Sequence, residues 1–128
     1  MIDGIDSNLQ ALSAISTSVA VTANNVANVN TDGFKASSTT FETGQNGQGV
    51  EVQEIRQDQS AGAYRQEVLP LETETGVMTS QLQYVETSNT DLVREQVNLI
   101  QNQHAFSANI AAIRAQDDLT GTVLDMKV

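Results

Sequence analysis

Near the start of the chain, apolar residues recur at Ile5, Leu9, Leu12, Ile15, Val19, Ala23 and Val26, separated by four, three, three, four, four and three positions. That spacing predicts a helix, and within it Ile5, Leu12, Val19 and Val26 fall a heptad apart. Ser7 with Gln10 three residues later has the form of a capping box. The opposite face is Ser, Thr, Asn and Ala, without charge, which implies that other helices cover this side as well. Toward the other end, Leu92, Val93, Val97, Leu99, Ile100, Phe106, Ile110 and Ile113 form a second stripe with a period of about 3.6. Ser88 with Asp91 supplies a capping pattern ahead of it. No Gly or Pro falls within residues 90–119. At ~1.5 Å per residue that segment would span roughly 45 Å, longer than a domain of this size needs for its own core. A long helix at each end implies an antiparallel pair forming a coiled-coil-like hairpin.

The middle reads differently. Residues 37–49 mix glycines with threonines and predict a loop, with Phe41 as an anchor. Val50, Val52 and Ile55 are interleaved with Glu51, Gln53 and Glu54, which predicts a short half-buried strand. Residues 58–63 read as a turn, residues 63–71 as a second strand that runs to the only proline, Pro70, and residues 77–85 as an apolar stretch of either type. The expected fold is mainly α with a small β-rich middle. Its parts are an N-terminal helix and turn over residues 1–36, an acidic lobe over 37–86, and a C-terminal helix over 87–128.

Composition sharpens this picture. The chain has 128 residues, 39% of them hydrophobic and 4% aromatic, with no tryptophan. Such a thin supply of large apolar groups suits helices packed closely on neighbours, so stability is expected to depend on assembly. The net charge of −10 comes from 16 acids and 6 bases and opposes binding to nucleic acid or an anionic membrane. Much of it lies in residues 42–86, where Glu42, Glu51, Glu54, Asp58, Glu67, Glu72, Glu74 and Glu86 face only Arg56 and Arg65. That lobe is expected to be the better solvated part. There is no cysteine, hence no disulfide and no thiolate metal site. The first ten residues carry Asp3 and Asp6 and no base, unlike a cleaved signal peptide, and no window holds ~18 uninterrupted apolar residues.

Nothing in the chain predicts catalysis. His104 is the single histidine, so it has no second imidazole or thiolate with which to bind a metal. Asp117 and Asp118 are adjacent and would point about 100° apart on a helix. Gly44, Gly47 and Gly49 lack the Lys-Ser/Thr pair of a phosphate loop. No catalytic, metal or cofactor site is expected, and the chain is not read as an enzyme.

What remains conspicuous is residues 23–35: Ala23, Asn24, Asn25, Val26, Ala27, Asn28, Val29, Asn30, Thr31, Asp32, Gly33, Phe34 and Lys35. Asparagine is a middling helix former because its amide competes with the backbone, so several on one helix suggest amides wanted as hydrogen-bond partners. Asn30 or Gly33 would supply a positive φ, and Phe34 follows as an anchor. The run Ala23 to Asn28, then Thr31, then Gly33 to Lys35, resembles the N-terminal signature of the bacterial flagellar axial proteins, which build the rod and hook. Ser88, Asn89, Asp91, Leu92, Val93, Glu95, Val97, Leu99, Ile100, Gln103, Ala105, Phe106, Ala108 and Asn109 resemble that family's terminal helix. The chain departs from the family pattern at Thr90, Gln96 and His104, where Val, Met and Arg are usual.

The resemblance implies a structural subunit of the flagellar basal-body rod, self-assembling by packing of its terminal helices into a helical tube. The short middle implies a small proximal-rod type, like rod protein C. It further implies export from the cytoplasm through the flagellar type III apparatus without a cleaved signal peptide. The implied location is the periplasmic rod, where its partners are other copies and other rod and hook proteins. The assembly motif would be Ala23, Asn24, Asn25, Val26, Ala27, Asn28, Thr31, Gly33, Phe34 and Lys35, with Asn25 and Asn28 directed at adjacent subunits. A soluble helical-hairpin adaptor that binds a partner helix is the alternative.

Overall fold

The computed structural model describes residues 2–72 and 74–126; the expected boundaries at 1 and 128 lie outside them. Helix α1 spans Ile2–Ala27. It is followed by strand β1, Ser37–Thr43, a single 3-10 turn, Gln45–Gly47, and strand β2, Val50–Gln57. Strands β3, Tyr64–Glu72, and β4, Met78–Glu86, precede helix α2, Leu92–Asp125. β1 pairs with β2 and β3 with β4, each antiparallel, giving two separate two-stranded sheets.

This corrects the expected fold class. The chain is not a simple coiled-coil-like hairpin with a small middle lobe; two helices flank four antiparallel strands. The helices run antiparallel, as the contacts of Gly4 with Gln116, Ser18 with Asn102 and Asn25 with Glu95 show, but α1 also packs on β1 and β2. Part of its uncharged face is therefore covered by strands of its own chain, with Gln10, Ala14 and Thr17 set against Val50 and Val52. Small and hydroxyl side chains suit this because they let a sheet approach closely. Gly49, at φ 73°, lies against Gln10, where a side chain would collide.

Residues 37–43, expected as loop, form β1 because Thr39, Thr40 and Phe41 are good strand formers once a partner strand is present. Its register shifts between Thr40 and Phe41, which pair with Glu54 and Val52 and leave Gln53 as a bulge. Helix α1 begins at Ile2, so Ser7 lies inside it and is no cap. At α2 the cap is Asp91, whose Oδ1 accepts from the backbone N–H of Val93 and Arg94 at 3.0 and 3.2 Å. Ser88 instead accepts from the N–H of Thr90.

The core is nearly absent. Among the described residues the buried apolar side chains are Ala14 and Ile15, while Thr22, Asn25 and Glu95 are the buried polar ones. Strands β3 and β4 pack chiefly on each other, leaving Tyr64, Val68, Leu71, Met78, Leu82 and Tyr84 exposed.

Candidate functional site at the helix ends

Three connecting segments meet where α1 ends and α2 begins: residues 28–36, 58–63 and 87–91. Backbone groups join them first. The N–H of Gly33 donates to the carbonyl of Glu86 at 2.8 Å, that of Asp58 to Ala36 at 2.8 Å, that of Thr87 to Ala63 at 2.7 Å, and that of Asn89 to Phe34 at 3.3 Å. Gly33 takes φ 67°, the left-handed conformation a side chain resists, and this aims its N–H at the end of β4.

Side chains complete the junction. Asn25 is wholly buried. Its Nδ2 donates to the Ser37 carbonyl at 2.7 Å and to Glu95 Oε1 at 3.1 Å, and its Oδ1 accepts from the Ser37 N–H at 2.9 Å. One amide thus supplies both halves of a ladder pair to the first residue of β1 and ties α1 to α2. Asn89 works in the same way at the other end: Oδ1 accepts from the Ala36 N–H at 2.7 Å, and Nδ2 donates to the carbonyls of Asp58 and Ser60 at 2.9 and 3.0 Å. Amides suit such sites because each carries an acceptor and two donors without charge.

Lys35 adds the ionic element, with Nζ 2.6 Å from Glu86 Oε1 and 2.7 Å from the Ser60 carbonyl. Glu86 Oε1 also accepts from the Gly62 N–H at 2.7 Å. The Lys35 and Gly62 bonds hold the Glu86 carboxyl below its ordinary range, and bonds from Ser60 do the same for Asp58. Farther out, Arg65 pairs with Asp32 at 2.9 Å on the exposed rim.

The predicted motif residues separate into two groups here. Asn25, Asn28, Thr31, Gly33, Phe34 and Lys35 build the junction or its approach; Asn28 Nδ2 donates to the Asn24 carbonyl at 2.9 Å and its Oδ1 accepts from Thr31, closing the end of α1. Ala23, Asn24 and Ala27 face outward, and Val26 is half-buried. The expectation that Asn25 points at an adjacent subunit is corrected, since it is buried against its own chain's Ser37 and Glu95. On α2, Leu92, Val93, Val97, Ile100 and Phe106 are exposed, while Leu99, Ile110 and Ile113 are half-buried.

Glu86, Asn89 and Glu95 are junction residues to which the sequence reading assigned no chemistry. Asn89 and Glu95 stood within the resembling stretch, but their partners at Ala36, Ser60 and Asn25 are distant in sequence. Among the described residues no group of His, Cys, Asp or Glu is arranged to hold a metal, and no helix is long and apolar enough to cross a membrane.

Comparison with protein families gives the same two ends of the chain. Residues 5–35 match the family described as Flagella basal body rod protein, and residues 81–126 match Flagellar basal body rod FlgEFG protein C-terminal. No curated protein matches the chain. The two matched segments hold nearly all of α1, the whole of α2 and the junction side chains Asn25, Lys35, Glu86, Asn89 and Glu95, while their partners at Ala36, Ser37 and residues 58–63 lie between the matches. The chain belongs to the flagellar basal body rod family, whose members are structural proteins of the basal body.

Proposed function

We propose that the chain is a rod subunit that self-assembles through its two helices, packing them against helices of neighbouring copies and of other rod proteins to form a tube. The observation that carries this reading is the contrast between a core of Ala14 and Ile15 and an exposed apolar series on α2, where Val93, Val97 and Ile100 are 71%, 47% and 56% accessible. Apolar surface left in water at this density is surface kept for a neighbour. The brevity of the segment between the helices supports the small proximal-rod type, like rod protein C. Export through the flagellar type III apparatus accords with a chain that gains little by folding before it reaches its neighbours.

Amide hydrogen exchange tests this reading. In dilute solution the first turns of α1 and the outer half of α2 are expected to exchange fast, and to become protected when the chain assembles. Slow exchange along both helices of a proven monomer would overturn it. Loss of the chain from the periplasm in a strain lacking the export apparatus, with expression unchanged, checks the route.

A further inference from the structure

Beside the junction, between α1, the start of β1 and the first turns of α2, lies a polar groove of about 330 Å³ lined by Glu95, Thr39, Asp58, Arg94, Asn98 and Asn102, among others. Glu95 is 5% exposed. Its Oε1 is held by Asn25, but its Oε2 is buried without a partner, and so is Oγ1 of Thr39, which lines the same groove. A buried carboxylate oxygen with no donor is costly, and the cost is removed when a donor enters. Glu95 and Asp58 against Arg94 leave the groove with one net negative charge, which fits one cation.

We infer that this groove receives the guanidinium of Arg114 from a second copy of the chain, an inference that rests on the self-assembly proposed above. Lys35 and Arg65 are already paired. Of the remaining described bases, Arg94 lines the groove itself and Arg56 lies alongside Asp58 and Ser38 on the same copy. Arg114 is exposed on α2 and forms no ion pair among the described residues. It lies 19 residues beyond Glu95, about 28 Å along the helix and about 100° around it. That distance is several times the reach of an arginine side chain, so Arg114 cannot enter its own groove. In a tube, where successive copies keep one orientation, the contact runs head-to-tail: the copy that inserts Arg114 still offers an empty groove. Contacts of that kind propagate into helical assemblies, whereas a self-complementary contact stops at a pair. Guanidinium is the fitting group because it carries several donors for the Glu95 oxygen and the Thr39 hydroxyl at once.

Glu95→Gln and Arg114→Gln test the pairing. Glutamine at 95 keeps an oxygen for Asn25 and replaces the unpartnered acceptor with a donor. Each variant is expected to weaken association of the full chain at least about tenfold in analytical ultracentrifugation, and the double variant to be no weaker than the worse single. An equimolar mixture of the two single variants should form pairs with parental affinity, through intact Arg114 of one and intact Glu95 of the other, and those pairs should not grow. If both variants associate like the parent, the groove contact is wrong and self-assembly stands. If the parent itself stays monomeric at every concentration, both fall. Arg114→Gln breaks no ion pair among the described residues, so it decides the matter alone if circular dichroism shows that Glu95→Gln disturbs the fold.

Discussion

The junction at the helix ends and the surface of α2 beyond it are made on opposite principles. At the junction the buried groups are polar, and Asn25, Asn89, Lys35 and Glu86 spend their hydrogen bonds on backbone and side chains of the same copy. Along α2 a series of apolar groups is exposed, and among the described residues little covers Val93, Ile100, Leu119 and Leu124. A polar network is directional and fixes one arrangement of segments; an apolar stripe is non-directional and accepts any surface that excludes water. The molecule thus has a specified elbow and unspecified arms, an economical division for a subunit whose arms are completed by neighbours.

The sharpest way to break this contrast is at Asn25. Asn25→Ala removes three hydrogen bonds and orphans both backbone groups of the half-buried Ser37, so it is expected to destabilise the isolated chain by about 3 kcal/mol. Denaturant unfolding measures this, with amide exchange at Ser37 as the local reading. A stable monomer would mean that the elbow does not hold the chain. Asn89→Ala should cost less, about 2 kcal/mol, because its partners at Ser60 and Asp58 have some access to water. Below that comes Gly33→Val. No atom lies within 4 Å of the position a Cβ would take at Gly33, so the expected loss of about 1 kcal/mol is backbone strain alone. Gly33→Asn, which tolerates the left-handed region better, should lose less.

The ionic part of the junction predicts an acid dependence. Glu86 is held below its ordinary value of 4.5 by Lys35 and the Gly62 N–H. The stability from those contacts is then fully present above the unfolded-state value and is lost as pH falls through the depressed folded value. The advantage of the parent over Glu86→Gln should therefore be constant near neutrality and shrink below about pH 4.5. An advantage independent of pH would show that the carboxylate charge is not what Lys35 and Gly62 recognise. The smallest expected change belongs to the arms: Val97→Ser with Ile100→Ser should leave unfolding of the isolated chain within ~0.5 kcal/mol, yet abolish assembly. If stability falls with assembly, α2 is already covered in the monomer.

Much of this was legible beforehand, and the gaps have physical causes. Period 3.6 exposes a helix wherever one face is apolar, so both helices could be read from their stripes. The alternation around Val50, Val52 and Ile55 likewise announced β2. β1 was not legible, because Ser37 to Thr43 is polar enough for a loop and becomes a strand only when β2 and α1 lie beside it. The two-sided covering of α1 was half visible: its lack of charge showed that it was covered, but not that β1 and β2 would do part of the covering. The asparagine run marks amides that need partners, but those of Asn25 are Ser37 and Glu95 of its own chain rather than a neighbour. Helical phase places Asn25 off the apolar stripe, and phase by itself cannot distinguish a neighbour from a strand of the same chain.

By itself, then, the sequence determined what depends on near neighbours along the chain: the helices, the turn at Gly33, the poverty of the core, and the family signature at either end. Only the tertiary structure decided which amide meets which carbonyl, because the partners of the Asn25 side chain lie 12 and 70 positions away and those of the Asn89 side chain as far as 53. Local periodicity carries no record of such separations. They are set when the helices and strands pack, and a buried polar group must then take whichever partner the packing brings within reach.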